Sequence, residues 1–213
     1  VTETAKPRRL TPKGRATRNR IIEAATELVA RHGVAGTGID EVRAAAGVSG
    51  SQLYHYFDSK QALIRAVITR QADAALDAGE PRIGALDSFE ALRAWADAAI
   101  ERQLENECRG DCSLGSLAGE LSTSDEESRT DIADGFLRWK ALILNGLQAM
   151  RDRGELRADT DLDELSFALL TALQGGVLLS QTIRHIQPLE ASMNAALAYV
   201  RSFAPGARSP GSG

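Results

Sequence analysis

Between Ala16 and His32 the apolar side chains fall at Ile21, Ile22, Ala25, Leu28 and Val29, the spacing of a helix with one buried face, and Gly33 supplies its stop. A densely punctuated stretch follows. Thr37, with Asp40 three residues on, reads as a capping-box-like start of a short helix that carries Ile39, Val42 and Ala46 and ends at Gly47. Ser49 and Gln52 fit the S-x-x-Q capping box and predict a second short helix over Gly50 to Tyr56, with Leu53 and Phe57 turned inward. Two short helices joined around a glycine form a helix-turn-helix. A further start at Asp58 or Ser59 opens a long helix through Ala62, Leu63, Ala66 and Val67 to about Leu76.

Gly79, Pro81 and Gly84 then break the chain, and Asp87 or Ser88 opens a helix carrying Phe89, Leu92, Trp95, Ala96 and Ala99. A polar loop at 107–113 leads to a short helix over 114–121. Ser124 with Glu127 predicts another capping box, ahead of a long amphipathic helix in which Ile132, Phe136, Trp139, Ile143, Leu147 and Met150 recur every three or four residues. Gly154 ends it. A helix from about Leu162 to Arg184 is apolar on much of its surface, and Pro188 fits the first turn of a last helix reaching about Phe203. The segments at the two ends, 1–15 and 204–213, are rich in Pro, Gly and polar residues and read as a disordered basic arm and a disordered tail.

Composition agrees with an all-α fold. Ala and Leu supply 34 and 25 of the 213 residues, a helix-forming alphabet with few β-branched or aromatic strand formers. The most apolar run, Phe167 to Leu179, is interrupted by Thr171, Gln174 and two glycines, so no membrane span is expected. The basic, polar start carries no secretory pattern, and the expectation is a cytoplasmic protein whose Cys108 and Cys112 stay reduced. Charge divides the chain: residues 1–70 hold 12 Lys and Arg against 6 Asp and Glu, whereas the remainder holds 13 against 23. A basic head on an acidic body points to nucleic acid as the head's partner. No paired carboxylate–histidine set, nucleophile motif or phosphate loop is visible, which argues against an enzyme. His32, His55 and His185 are scattered and form no metal-ligand set, and no cofactor is expected.

Residues 37–49, TGIDEVRAAAGVS, followed by 53–63, LYHYFDSKQAL, resemble the TetR family of transcriptional repressors, with the similarity spanning roughly residues 18–70. Arg43 stands where that family usually has a small residue, and Gly50-Ser51 replaces the commoner Lys/Arg-Gly pair. The resemblance implies an all-α homodimer of about nine helices per chain. Its N-terminal three helices, within 16–60, would read a palindromic double-stranded operator, and its larger domain, 61–203, would hold a small-molecule inducer and dimerise. Residues 111–118, DCSLGSLA, with Phe136 and Trp139, also look like the ligand domain of the lincomycin-resistance and flavonoid-responsive repressors.

The recognition helix of such a motif points its N-terminal residues at base edges, so Ser49, Gly50, Ser51, Gln52 and His55 are the candidate base readers. Gln52 is the best of them, because a carboxamide can pair bidentately with adenine; completion of the capping box is its alternative role. Thr37, Tyr54 and Lys60 are candidate phosphate contacts, joined by Arg8, Arg9 and Lys13 of the arm. Tyr56 is a further candidate, while Phe57 reads as core. Trp95, Leu117, Leu121, Phe136 and Trp139, with Gln174 as an isolated polar group, are candidate inducer contacts, although stripes at helical spacing also describe ordinary core. Ala168, Ala172, Gly176, Leu179, Ile183 and Leu197 are expected at the dimer interface. An alternative reading is a thiol-based redox sensor built on Cys108 and Cys112.

Overall fold

The computed structural model describes residues 10–77, 86–109 and 113–206, and every regular element among them is helical. The elements are α1 (Pro12–Gly36), α2 (Ile39–Ala46), α3 (Gly50–Tyr56), α4 (Lys60–Asp77), α5 (Phe89–Glu105), α6 (Ser113–Leu121), α7 (Glu126–Asp152), α8 (Leu162–Ile183) and α9 (Gln187–Arg201). The chain divides into two compact units, residues 1–70 and 71–213. This boundary lies ten residues beyond the expected division at 60/61, because Leu63 and Val67 of α4 complete the first core.

In the first unit Ile21, Ile22, Ala25 and Leu28 of α1 pack with Val42, Ala46, Val48, Leu53 and Phe57 around one centre. Helix α1 begins four residues ahead of the predicted Ala16, inside the segment expected to be a disordered arm. Thr11 caps it, its hydroxyl accepting from the Gly14 N–H at 3.1 Å, and Pro12 occupies the first turn where its missing N–H costs nothing. The remaining arm residues, 1–9, including Arg8 and Arg9, lie outside the described residues. At its far end α1 bends at Gly33, which has φ 71° and ψ 173°, so the predicted stop is a kink followed by a short turn.

The second unit is built on α8, which packs along α9 on one side and α7 on the other. Leu165, Leu169, Leu170, Leu173 and Val177 of α8 meet Trp139, Ile143, Leu147 and Met150 of α7 and Leu189, Met193, Ala196 and Val200 of α9. Close approach depends on two glycines. A Cβ on Gly176 would lie 2.4 Å from Ser192 Oγ and 2.9 Å from Leu189 Cα, and one on Gly146 would lie 2.2 Å from the backbone oxygen of Leu86. The Ser192 hydroxyl donates to Ala172 O at 2.9 Å and Tyr199 donates to Glu164 at 2.7 Å, tying α9 to α8. The cap of α7 is Asp125, one residue later than the predicted Ser124. Asp125 accepts from the Glu127 N–H, while the Ser124 hydroxyl turns back to donate to Glu120 O. By length and hydropathy α8 passes the threshold for a membrane span that the interrupted run was expected to miss; within the unit, however, it is the core helix, with one face buried. Of the expected tail, residues 204–206 continue as a turn after α9, and 207–213 lie outside the described residues.

Gly146→Ala is expected to destabilise the protein by about 1–3 kcal/mol, since the new methyl meets rigid backbone at Leu86. Gly119→Ala in α6, where nothing stands within 4 Å, should stabilise it by about 0.4–1 kcal/mol. Denaturant melts of the two variants read both signs; equal effects would mean that Gly146 is not a packing constraint.

Candidate functional site

The short link between α2 and α3 sets the geometry of the first unit's outer surface. Gly47 adopts φ 62° and ψ 42°, and its N–H and that of Val48 bond back to the carbonyls of Arg43 and Ala44, closing α2. Two residues later Ser49 opens α3. Its hydroxyl accepts from the Gln52 N–H at 3.2 Å, and its own N–H donates to Gln52 Oε1 at 2.9 Å. This is the predicted capping box, with both halves formed. Leu53 and Phe57 turn into the core as expected, and Arg18 lies over the Phe57 ring at 5.2 Å. The outer face of α3 therefore presents Ser51, Gln52, Tyr54 and His55, all exposed, with half-buried Gly50 at its start. Tyr54 is 56% exposed, whereas Tyr56 is half-buried with its hydroxyl against Gly14 at the start of α1.

Two expected contacts change in this geometry. Thr37 is not the cap of α2. Gly38 is, through its N–H donating to Glu41 Oε2 at 3.0 Å, and Thr37 is 3% exposed with its hydroxyl donating to Gly33 O at 2.7 Å. The sequence signal failed because Thr and Gly are adjacent and both suit a cap position. Its hydroxyl hydrogen is thus committed inside the unit and is not offered to a phosphate. Gln52 Oε1 already accepts from the Ser49 N–H, so a base would share that oxygen through its second lone pair while the Nε2 hydrogens stay free to donate, and the cap fixes the direction in which the carboxamide can pair. Ser59 holds the start of α4, accepting from the Ala62 N–H at 3.1 Å, and Lys60 follows as the first helical residue, half-exposed at the unit's surface. A lysine there opposes the helix dipole, a placement that an anionic partner would offset.

In the second unit Trp95, Phe136 and Trp139 gather in one apolar cluster with Met150 and the α8 leucines. Leu117 and Leu121 are buried on α6, which packs on α7, but neither belongs to that cluster. Two donors in the region have no hydrogen-bond partner among the described residues: Trp139 Nε1, on a side chain 7% exposed, and Gln174 Nε2. Gln174 stands on α8 between Leu173 and Val177, both members of the Trp139 cluster. A buried donor left unpaired costs about 1–3 kcal/mol. The orphaned indole N–H is a polar handle that apolar periodicity alone conceals.

The outward face of α8 carries Phe167, Leu178, Leu179 and Ile183, respectively 46%, 62%, 51% and 60% exposed. Leu179 and Ile183, both expected at the interface, are exposed. Gly176 is not, since it faces α9 within the chain; Ala172 also packs against the unit's own core, and Ala168 and Leu197 are only half-exposed. Gly175, beside open space, is the small residue on the outer surface. Phe167, missed as a surface group, lies under Lys140 Nζ at 4.4 Å, and that ammonium also pairs with Asp163. Cys108 is 5% exposed in a turn with φ 52°, its carbonyl accepting from Arg184 at 3.0 Å. Cys112 lies outside the described residues, and nothing among the described ones supports the thiol-sensing alternative. No group of three or more His, Cys, Asp and Glu among them is placed to hold a metal ion.

Residues 21–67 match the sequence profile of the bacterial regulatory proteins of the tetR family, and residues 88–196 match that of the tetracyclin repressor-like C-terminal domain. The HTH-type transcriptional repressor DhaR of Mycobacterium sp. (strain GP1) is 25% identical over 181 residues, covering 81% of this chain and 86% of that protein. The HTH-type transcriptional regulator LmrA of Bacillus subtilis (strain 168) is also 25% identical, over 81% of this chain and 90% of its own length. Among solved structures, a TetR transcriptional regulator from Chloroflexus aurantiacus shares the fold with a TM-score of 0.76 at 23% identity, over 91% of this chain and 98% of that one.

Replacing Gln52 separates its two roles. Gln52→Ala should lower stability by about 0.5–1.5 kcal/mol through loss of the Ser49 N–H bond, whereas Gln52→Glu, whose carboxylate accepts the same bond, should keep it. Thermal melts of both variants test this; equal melting temperatures would mean that the reciprocal half of the cap contributes nothing.

Proposed function

This chain belongs to the TetR family of DNA-binding transcriptional regulators, and from that premise we propose that it is a repressor that occupies a palindromic operator as a homodimer and leaves it when a small hydrophobic or aromatic molecule enters the second unit. It is a regulator and not an enzyme. The observation that carries the reading is the capped, outward-facing α3, whose Ser51, Tyr54 and His55 stand exposed, followed closely in sequence by Lys60 at the start of α4. The first unit's surface therefore offers donors and acceptors for base edges together with a phenol and a cation suited to phosphate. Such a protein works where the chromosome is, in the cytoplasm.

The two orphaned donors support the inducer. A ligand with a carbonyl, phenolic or ether oxygen would satisfy Trp139 Nε1–H or Gln174 Nε2–H while its carbon skeleton replaces apolar contacts of the cluster. We place the second unit with the lincomycin-resistance and flavonoid-responsive repressors on this ground and on residues 111–118, of which 111 and 112 lie outside the described residues. Release requires that the ligand bind the DNA-free conformation more tightly than the DNA-bound one, because equal affinity would shift no population. The exposed Leu178, Leu179 and Ile183 of α8 offer a self-complementary apolar surface for dimerisation, which brings two reading heads to two half-sites.

Fluorescence-anisotropy titration against the protein's own upstream DNA and a scrambled duplex, across a salt series, tests the proposal. Selective binding with a steep salt slope is expected, and Lys60→Ala should reduce that slope by about 1 per protomer while weakening all sequences alike. Trp139→Phe and Gln174→Leu should leave operator affinity intact and raise by about 10-fold the concentration of an oxygen-bearing aromatic needed for release. Equal weak binding to both duplexes would overturn the proposed function.

A further inference from the structure

The recognition helix carries no permanently charged side chain. Its outer face is Ser51, Gln52, Tyr54 and His55, and its first position, Gly50, has no side chain at all. A strong cation nonetheless lies beside it, on the neighbouring helix. The Cδ of Arg43 stands 3.9 Å from the point that a Cβ on Gly50 would occupy, so the arginine stem runs along the bare first turn of α3. The two departures from the family pattern are thus in contact: the large residue on α2 uses the space left on α3.

The arginine head is held at one end only. Its Nε donates to Asp40 Oδ1 at 3.3 Å, and the structure gives Nη1 and Nη2 no partner among the described residues. The pair is exposed, at 42% for Arg43 and 92% for Asp40, so it contributes little stability and does not explain why an arginine is there. With Nε occupied, the two terminal nitrogens remain side by side, a planar fork matched to two adjacent acceptors. The N-terminal end of a recognition helix is the end that approaches base edges, and guanine displays O6 and N7 together in the major groove.

We propose that Arg43 is a specificity-determining residue that reads one guanine in each half-site from outside the recognition helix, through the gap at Gly50. The inference rests on the DNA-binding reading above and adds a base contact to it. A phosphate would accept the same fork, but a phosphate contact carries no sequence preference, and this difference is what the experiment resolves.

The full-length protein, Arg43→Ala, Arg43→Lys and Gly50→Leu would each be used to select sites from a randomised duplex library, with thermal melts to verify folding. The intact protein is expected to select a palindrome. Arg43→Ala should lose the preference for one guanine per half-site and bind the parent site about 10–100-fold more weakly. Gly50→Leu, which keeps the arginine but fills the space its stem occupies, should lose preference at the same position, and Arg43→Lys should keep part of it. An unchanged motif in Arg43→Ala, or a weakening that is the same for every sequence, overturns the proposal alone. Absence of any motif for the intact protein would instead overturn the DNA-binding reading and this inference with it.

Discussion

The link between α2 and α3 has almost no chain in which to end one helix and start another, and the reading surface depends on how it does so. Gly47 supplies the left-handed conformation that closes α2, and Ser49 at once accepts the free N–H of Gln52 in the first turn of α3. A side chain at Gly47 would face no collision, since nothing stands within 4 Å of its Cβ position; what an L-residue there would meet is backbone strain at φ 62°. With both helix ends satisfied locally, Val48 and Leu53 can point into the core and leave the opposite face of α3 free of packing duties. The exposed polar set on α3 is therefore a consequence of the turn.

The second unit meets a different constraint, in which small residues permit contact and large ones lack a partner. Gly176 and Gly146 let backbone approach backbone, so α8 and α7 reach their neighbours without gaps. Four large apolar residues on the other side of α8 stay exposed, an unfavourable arrangement for an isolated chain. In the proposed dimer these side chains leave water, and the low charge of that stripe is what an interface centre requires. Gly175 and Gly176, adjacent in sequence, thus differ in setting, the first beside open space and the second against α9, which composition does not separate.

Much of this architecture was legible from spacing. The capping box at Ser49 and Gln52, the helix end at Gly47, the inward Phe57 and the amphipathic run through Met150 all stand as read, because each rests on local chemistry or on the helical period. What the sequence concealed were choices between neighbours: Thr37 or Gly38, Ser124 or Asp125, Gly175 or Gly176, and a helix start at Thr11 hidden in a basic, proline-containing segment. Tertiary contact decides such choices. The candidate ligand set fared likewise: periodicity placed Trp95, Phe136 and Trp139 in one cluster but could not tell that Leu117 and Leu121 belong elsewhere, or that an indole N–H would be left unpaired.

Charge joins these local features to the proposed function. The unit boundary at Arg70 and Gln71 coincides with the point where the sequence turns from a net basic to a net acidic composition. Long-range attraction to phosphate is therefore confined to the first unit, and the acidic second unit opposes adhesion of its own surface to DNA. Beyond about 10 Å at moderate ionic strength both effects are screened, so they bias encounter and not the contacts made on arrival. Specificity must then come from the few side chains that α2 and α3 bring to the groove. An uncharged α3 makes non-specific grip weak at that helix, and it leaves discrimination to hydrogen-bond geometry, where a fork held by Asp40 and a glutamine held by Ser49 are already constrained before DNA is met.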